Sequence, residues 1–247
     1  KGRIASVNNT RKITSAMKMV ASAKLHKAQA AIESMLPYER RLHHILTDFM
    51  SNCTEVTSPF IVKREVKKVA VVVFASNTSL CGGFNANVIR HLVDLLAEYK
   101  PLGLENILVF PVGKKVADAV RKLGFRIEGD FQHMADKPSY QEAADLAADL
   151  MKRFLHGDVD KVELLYNHFK STASQILTRE TYLPIDLNNE KKEEERTIDY
   201  ILEPSAEELM QEMLPKVLRM KMFTVLLDSN AAEHAARTMA MQIATDN

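Results

Sequence analysis

The segment Ser76-Asn-Thr-Ser-Leu-Cys-Gly-Gly-Phe-Asn85 sets hydroxyls, a thiol and paired glycines between a β-branched apolar run and a helical pattern. In an α/β unit this is where backbone N–H groups and a helix N-terminus cradle phosphate. The segment has neither G-x-G-x-x-G nor G-x-x-x-x-G-K-[ST], and Gly113-Lys-Lys fails the same test. The simpler reading is a tight strand-to-helix turn that needs Gly82 and Gly83. Cys81 stands near a helix start, a setting that acidifies thiols. No partner histidine can be assigned to it, which leaves a packed small residue as the plainer reading. The eight histidines form no H-E-x-x-H and no Cys/His cluster, so no metal site is expected. His43-His44 reads as surface and helix-seam edge. Glu207-Glu208 falls at a helix start, where the dipole accounts for the paired carboxylates. No catalytic, cofactor-binding or metal-ligating residue is assigned, and no cofactor is expected.

The elements around these residues fall into three segments, with expected boundaries at 1–59, 60–203 and 204–247. Residues 1–50 read as one long helix. Its seam steps by three and four through Ile4, Val7, Arg11, Thr14, Lys18, Ala21, Leu25, Ala28, Ile32, Met35, Glu39, Leu42, Leu46 and Phe49. Ten of these fourteen positions are apolar, which is the heptad signal of a coiled coil. Three polar exceptions fall together at 11, 14 and 18, where a second stripe, Ile13–Met17–Val20, appears. The contact face is therefore expected to change there, from a partner helix to a different surrounding. Pro37 is expected to kink or split the helix. At about 1.5 Å per residue the segment would reach roughly 75 Å.

Residues 60–190 alternate between strand and helix patterns. Lys68–Ala75 and Asn106–Val112 read as buried parallel strands, Val162–Phe169 as a third, and Ser174–Ile185 as an extended partner. A helical pattern runs through Val88, Leu92, Leu95 and Leu96. Further helices are expected over Lys114–Leu123, ended by Gly124, and Tyr140–Leu155, ended near Gly157. This is an α/β domain around a mostly parallel sheet. Asn188–Arg196 reads as a solvated charged loop. From Ser205 the pattern is helical again, with Ser205-Ala-Glu-Glu208 as a capping box and Pro215 as a kink or delayed start. Ala232, Ala236, Ala240 and Ala244 form a flat face that admits another helix. Two long helices from opposite chain ends should pack together, with the α/β domain at their base.

Composition narrows the function. The 247 residues are 46% apolar and 26% charged, with net charge +1. That suits a globular protein and excludes a polyanion binder by overall charge. No 18-residue apolar run exists to span a bilayer. The two cysteines, Cys53 and Cys81, favour a reducing compartment, with a structural pair as the alternative. Twelve methionines and no tryptophan suit adaptable helix packing. Charge is uneven, however: seven basic residues precede the first acid, Glu33. A targeting peptide, a nucleic-acid arm and a solvated face are each compatible with that run.

Thr10-Arg-Lys-Ile-Thr-Ser-Ala-Met-Lys-Met-Val-Ala-Ser-Ala-Lys24 resembles the first helix of F-type ATP synthase gamma subunits. Leu80-Cys-Gly-Gly is similar to their internal loop. Asp199-Tyr-Ile-Leu-Glu-Pro204, Glu233-His-Ala-Ala-Arg-Thr-Met-Ala-Met241 and Ala244-Thr-Asp-Asn247 are similar to their C-terminal helix. The resemblance spans the chain in the family's order. It implies an antiparallel two-helix coiled coil plus a Rossmann-like α/β domain, serving as a non-catalytic central-stalk rotor. Ion flow, of protons or sodium, would turn the rod within a ring of alpha and beta subunits. The base would join the epsilon subunit and the c-ring. It also implies a peripheral place, on the cytoplasmic face of a bacterial inner membrane or the matrix face of a mitochondrial one. Membrane contact would run through partners, and no nucleic acid is involved. The interface residues it implies are Arg11, Lys12, Met17, Lys18, Lys24 and Arg237 at the ring, and Tyr200 and Glu203 near the c-ring. The sequence departs from the family at Asn77-Thr78-Ser79, where a charged Asp-Arg/Lys-Gly triplet is usual. Family members are also expected to continue for several helical turns beyond the position of Asn247. The competing readings are a stand-alone α/β nucleotide-binding enzyme with a helical dimerisation arm, and a nucleic-acid-binding coiled coil.

Overall fold

The computed structural model describes residues 2–52, 58–186 and 206–246. Helix α1 (Gly2–Asn52) opens the chain. Then follow β1 (Val69–Phe74), α2 (Phe84–Tyr99), β2 (Ile107–Val112), α3 (Lys114–Leu123), β3 (Arg126–Ile127), α4 (Gln132–Asp136), α5 (Tyr140–His156), β4 (Lys161–Ser171), β5 (Ser174–Leu183) and α6 (Ala206–Asp246). The strands form one sheet in the order β3-β2-β1-β4-β5. β1 pairs in parallel with β2 and β4, and β2 with β3, while β5 runs antiparallel to β4. This mixed α/β sheet with two long terminal helices is the architecture expected from the sequence. The capping box at Ser205, the charged run 188–196, Cys53, Tyr200 and Glu203 lie outside the described residues.

Every residue of β1 is buried, because the sheet is covered on both faces. Strand alternation sends Val69, Val71 and Val73 to one side, against Val88, Leu92, Leu95 and Leu96 of α2 and Val116 and Val120 of α3. Ala70, Val72 and Phe74 face the other side, against α5 and the first half of α6 through Leu146, Leu150, Phe154, Leu214, Leu218 and Met222. The C-terminal helix therefore supplies a layer of the α/β domain before it reaches α1. Buried Tyr182 of β5 donates its hydroxyl to the Leu218 carbonyl at 2.6 Å, fixing strand to helix. Burial pushes that phenol well above its ordinary pKa, against the pull of Arg219.

Neither proline splits its helix. α6 runs through Pro215, flanked by buried Met213, Leu214 and Leu218. An interior proline costs about 3 kcal/mol. Unpacking those three side chains would cost about 2 kcal/mol each, so continuity wins. Pro37 lies on an exposed stretch of α1, as does Glu33, whose carbonyl the ring deprives of a partner and which water can satisfy. The short elements β3 and α4 escape sequence reading, since two and five residues carry no period.

Gly113, between β2 and α3, has φ +113°. A Cβ there would stand 2.2 Å from the Ala75 carbonyl oxygen, at the very edge where β1 leaves the sheet. Gly113→Ala is expected to destabilise the protein by about 3 kcal/mol, since it combines left-handed strain with a backbone clash. Urea unfolding measures this; a loss below about 1 kcal/mol would show that the two loops part easily.

Candidate partner interface

In open α/β sheets, ligands lie beyond the carboxyl ends of the strands, where the strand order reverses. Here the order reverses between β1 and β4, where Asp228 of α6 takes the backbone N–H of Phe169 on β4, and α6 also crosses the neighbouring ends of β1 and β2. Phe74, Ser76 and Val112 face Leu226, Ser229, Asn230 and Glu233 of α6 across a space of about 10 Å³, room for about one water molecule. The loop after β1 is closed by its own polar groups. Asn85 Oδ1 accepts from the Ser76 N–H at 3.0 Å, and Asn85 Nδ2 donates to Ser76 Oγ at 2.8 Å and lies 3.2 Å from Cys81 Sγ. Asn77 receives the Lys114 N–H at 2.8 Å and donates to the Gln132 carbonyl at 2.8 Å. Cys81 is buried, packed with Phe84 against Ala232. The loop that stands where a phosphate cradle could sit is a turn that serves as a docking surface for α6. A larger recess opens at the opposite sheet edge, lined in part by Lys68, Arg126 and Arg153. Its two arginines are already held by Glu128, at 2.5 Å from Arg126 and 3.2 Å from Arg153. Among the described residues no His, Cys, Asp or Glu cluster is arranged to hold a metal, and no helix is long and apolar enough to cross a membrane.

Arg237 organises the contact between loop and helix. Its Nε donates to Glu233 Oε1 at 2.7 Å, and its Nη2 pairs with the same carboxylate oxygen. Nη1 reaches the Ser79 carbonyl at 2.5 Å and Nη2 the Thr78 hydroxyl at 2.9 Å. The uncharged Asn77-Thr78-Ser79 turn thus accepts the guanidinium through a carbonyl and a hydroxyl. Leu80, next in the turn, takes φ +69° and is 61% exposed. Glu233 Oε2 also lies 2.7 Å from His234 Nδ1, too oblique for a ring hydrogen bond but an attraction whenever the imidazole is charged. Burial pushes the Glu233 carboxyl up, yet His234 and Arg237 outweigh it and hold it below the ordinary glutamate value.

The two helices run antiparallel. Thr14 Oγ1 meets Thr245 Oγ1 at 2.8 Å, and lower down Leu25 and Ala28 pack on Ala231 and Ala235. From Thr14 to Met35 the seam read from sequence is the buried side of α1: Thr14, Ala21, Leu25 and Ala28 are buried, and Lys18, Ile32 and Met35 half-buried. The alanine column at 232, 236 and 240 has a different role from the one expected. It faces the Cys81–Phe84 turn, while the adjacent pair Ala231 and Ala235 receives α1.

The implied interface residues divide by position. Arg11, Lys12 and Lys24 are exposed on α1, and Met17 and Lys18 are half-buried. The register set by Thr14 and Thr245 puts Met17 about level with Gln242, and Arg237 about level with Ser22. The two are thus separated by about 7 Å of helix rise. Ile13, Met19 and Val20 are 61%, 65% and 58% exposed beside the basic residues. Sequence reading missed Glu233 as the partner of Arg237, although their four-residue spacing signals the pair. It also missed Thr78 and Ser79, for which no local signal exists.

A two-helix rod on an α/β base, with the sheet's ligand crevice filled by the rod itself, defines the class of scaffold. A family model described as ATP synthase matches residues 1–247. The ATP synthase gamma chain of Phocaeicola vulgatus is 80% identical over 249 residues, covering 100% of this chain and 86% of the relative. That of Bacteroides thetaiotaomicron is 60% identical over 258 residues, covering 100% and 87%. The present chain belongs to the ATP synthase gamma-chain family. A solved chain from the Tetrahymena thermophila mitochondrial ATP synthase, central stalk and c-ring, shares the fold. Its TM-score is 0.65 at 22% identity, over 94% of this chain and 99% of that one. A rotor chain of the Euglena gracilis mitochondrial ATP synthase gives 0.62 at 18% identity, over 100% and 89%.

A carboxyl held low in the folded state stabilises it fully above the unfolded pKa of about 4.3, and that contribution fades as pH falls below it. Glu233→Gln removes the contribution. The stability gap between parent and variant should therefore be widest near neutral pH and shrink below about pH 4.3. Urea midpoints across that range measure it; a gap independent of pH would mean that Glu233 is not held as an anion.

Proposed function

We propose that this chain is the central shaft of a rotary ATP synthase, non-catalytic in itself. It couples ion-driven rotation, by protons or sodium, to the cycling of catalytic sites in a surrounding ring of alpha and beta subunits. Its base is joined to the epsilon subunit and the c-ring, and it is placed peripherally on the cytoplasmic or matrix face of the coupling membrane. Kinship with gamma chains supports this assembly. The single observation that carries it is the exposed face of α1. Ile13, Met19 and Val20 stand uncovered beside Arg11, Lys12 and Lys24, while the opposite side is committed to α6. A lone globular protein gains nothing from such a stripe, and a surrounding partner with acidic loops would bury it. Continuity of α6 from sheet to seam supports the mechanical role, because conformational coupling between distant sites needs a stiff element. The filled crevice speaks against a stand-alone nucleotide enzyme.

Met17, Lys18 and Arg237 would meet the ring, and Tyr200 and Glu203 the base. Co-purification of the tagged full-length protein from its own membranes should recover alpha- and beta-sized partners with ATPase activity that the isolated chain lacks. A single chain that hydrolyses ATP unaided would overturn the reading. Met17→Lys places a charge at the rod–ring contact. Hydrolysis should persist while ATP-driven ion pumping falls by roughly tenfold, equivalent to about 1.4 kcal/mol lost at the contact. Unchanged pumping would remove Met17 from that contact.

A further inference from the structure

β4 outruns its neighbour. Its last residue paired with β1 is Leu165, opposite Val73, and beyond that point no strand among the described residues pairs with β4 on that side. Its register with β5 also shifts between Phe169 and Ser171. α6 meets the strand where it projects. Asp228 Oδ1 accepts the Phe169 backbone N–H at 2.8 Å, and Asp228 Oδ2 lies 2.7 Å from His168 Nδ1. Phe169 packs against the cluster of Leu25, Ala28, Ala231 and Ala235 and also against that of Cys81, Phe84 and Ala232. One strand end thus joins the apolar clusters in which α1, α6 and the loop after β1 meet.

Arg237 lies nine residues beyond Asp228, about half a turn round the helix axis. The two polar anchors on α6 therefore point to opposite sides, Asp228 to the end of β4 and Arg237 to Thr78 and Ser79, while the rest of the loop packs with Phe169 around Ala232 between them. A single helix held only at its end twists and bends; two lateral grips on opposite sides resist both. We propose that the clasp of Phe169 and His168 on Asp228, opposed by the Arg237 grip, is the joint through which torque passes between the α/β domain and the two-helix rod. Asp228 is a positioning residue: it touches no substrate and acts by holding the rod in phase with its base. This rests on the shaft reading above.

The test uses membrane vesicles carrying the whole complex with the full-length chain, and reads ion uptake per ATP hydrolysed. Asp228→Ala removes both contacts, and the ratio should fall by roughly fivefold, the scale of one or two lost hydrogen bonds. Asp228→Asn keeps an acceptor for the Phe169 N–H and should recover most of it. A merely structural role would reduce the amount of complex and leave the ratio alone, so an unchanged ratio in Asp228→Ala overturns the joint. If that variant does not accumulate, His168→Ala decides, since its side chain is half exposed and leaves the core untouched. A lowered ratio there supports the joint and an unchanged one overturns it. Recovery of partner subunits with the unaltered chain tests the shaft reading separately, so either idea can fail without the other.

Discussion

The whole molecule depends on α6 remaining a single helix while it satisfies two different partners. Between Met210 and Leu227 it buries one side against the sheet and α5; between Ala231 and Thr245 it buries another against α1. No loop intervenes in which the direction could be adjusted, so the path of one continuous helix, with the contacts at Asp228 and Arg237 on its flanks, sets the orientation of the rod relative to the domain. That constraint explains why a proline is tolerated at 215. A break there would unpack the domain core and misalign the rod in one step.

The small residues near the crossing follow from the same constraint. Three elements converge on α6 around residue 232, and buried Ala231, Ala232 and Ala235 let them come close. The side-chain chemistry there is accordingly sparse and directional. Asp228 takes an unpaired strand N–H, and Glu233 and Arg237 bind one another and a neutral turn. Little of this depends on charge attraction across solvent, which salt would screen. The Arg237 side chain is 13% exposed and that of Glu233 10%, so both have left most of their water, and each compensates with protein partners.

Much of this fold can be read from residue order. KVAVVVFA and NILVFPV are too short and too β-branched for anything but buried strands, and Gly124 and Gly157 close their helices in the left-handed conformation that glycine permits. The seam from Thr14 to Met35 has a period that survives its polar members. Other features are not local and so leave no such trace. Phe169 and Asp228 are 59 residues apart, and Arg237 and Ser79 are 158 apart. Their meeting is decided by where α6 crosses the sheet edge. The alanine column shows the limit most clearly. Spacing marked a close approach correctly but could not say whether a helix or a turn would make it, because two adjacent columns of α6 carry alanine. The loop after β1 shows a related limit. Its place in the topology is that of a phosphate site, and only the path of a helix more than a hundred residues later fills it.

The outward side of α1 has a different standing from every other surface described. Ile13 and Val20 lie mostly in the open and belong to none of the apolar clusters that hold the chain together, so exchanging them should change stability little. Selection on folding is blind to them, whereas it sees every change at Ala231, Ala232 or Asp228. Over evolutionary time the two populations of residues should age differently. The crossing is restrained from within by the chain's own architecture, while the bare face of the rod can hold its character only as long as something outside the molecule reads it.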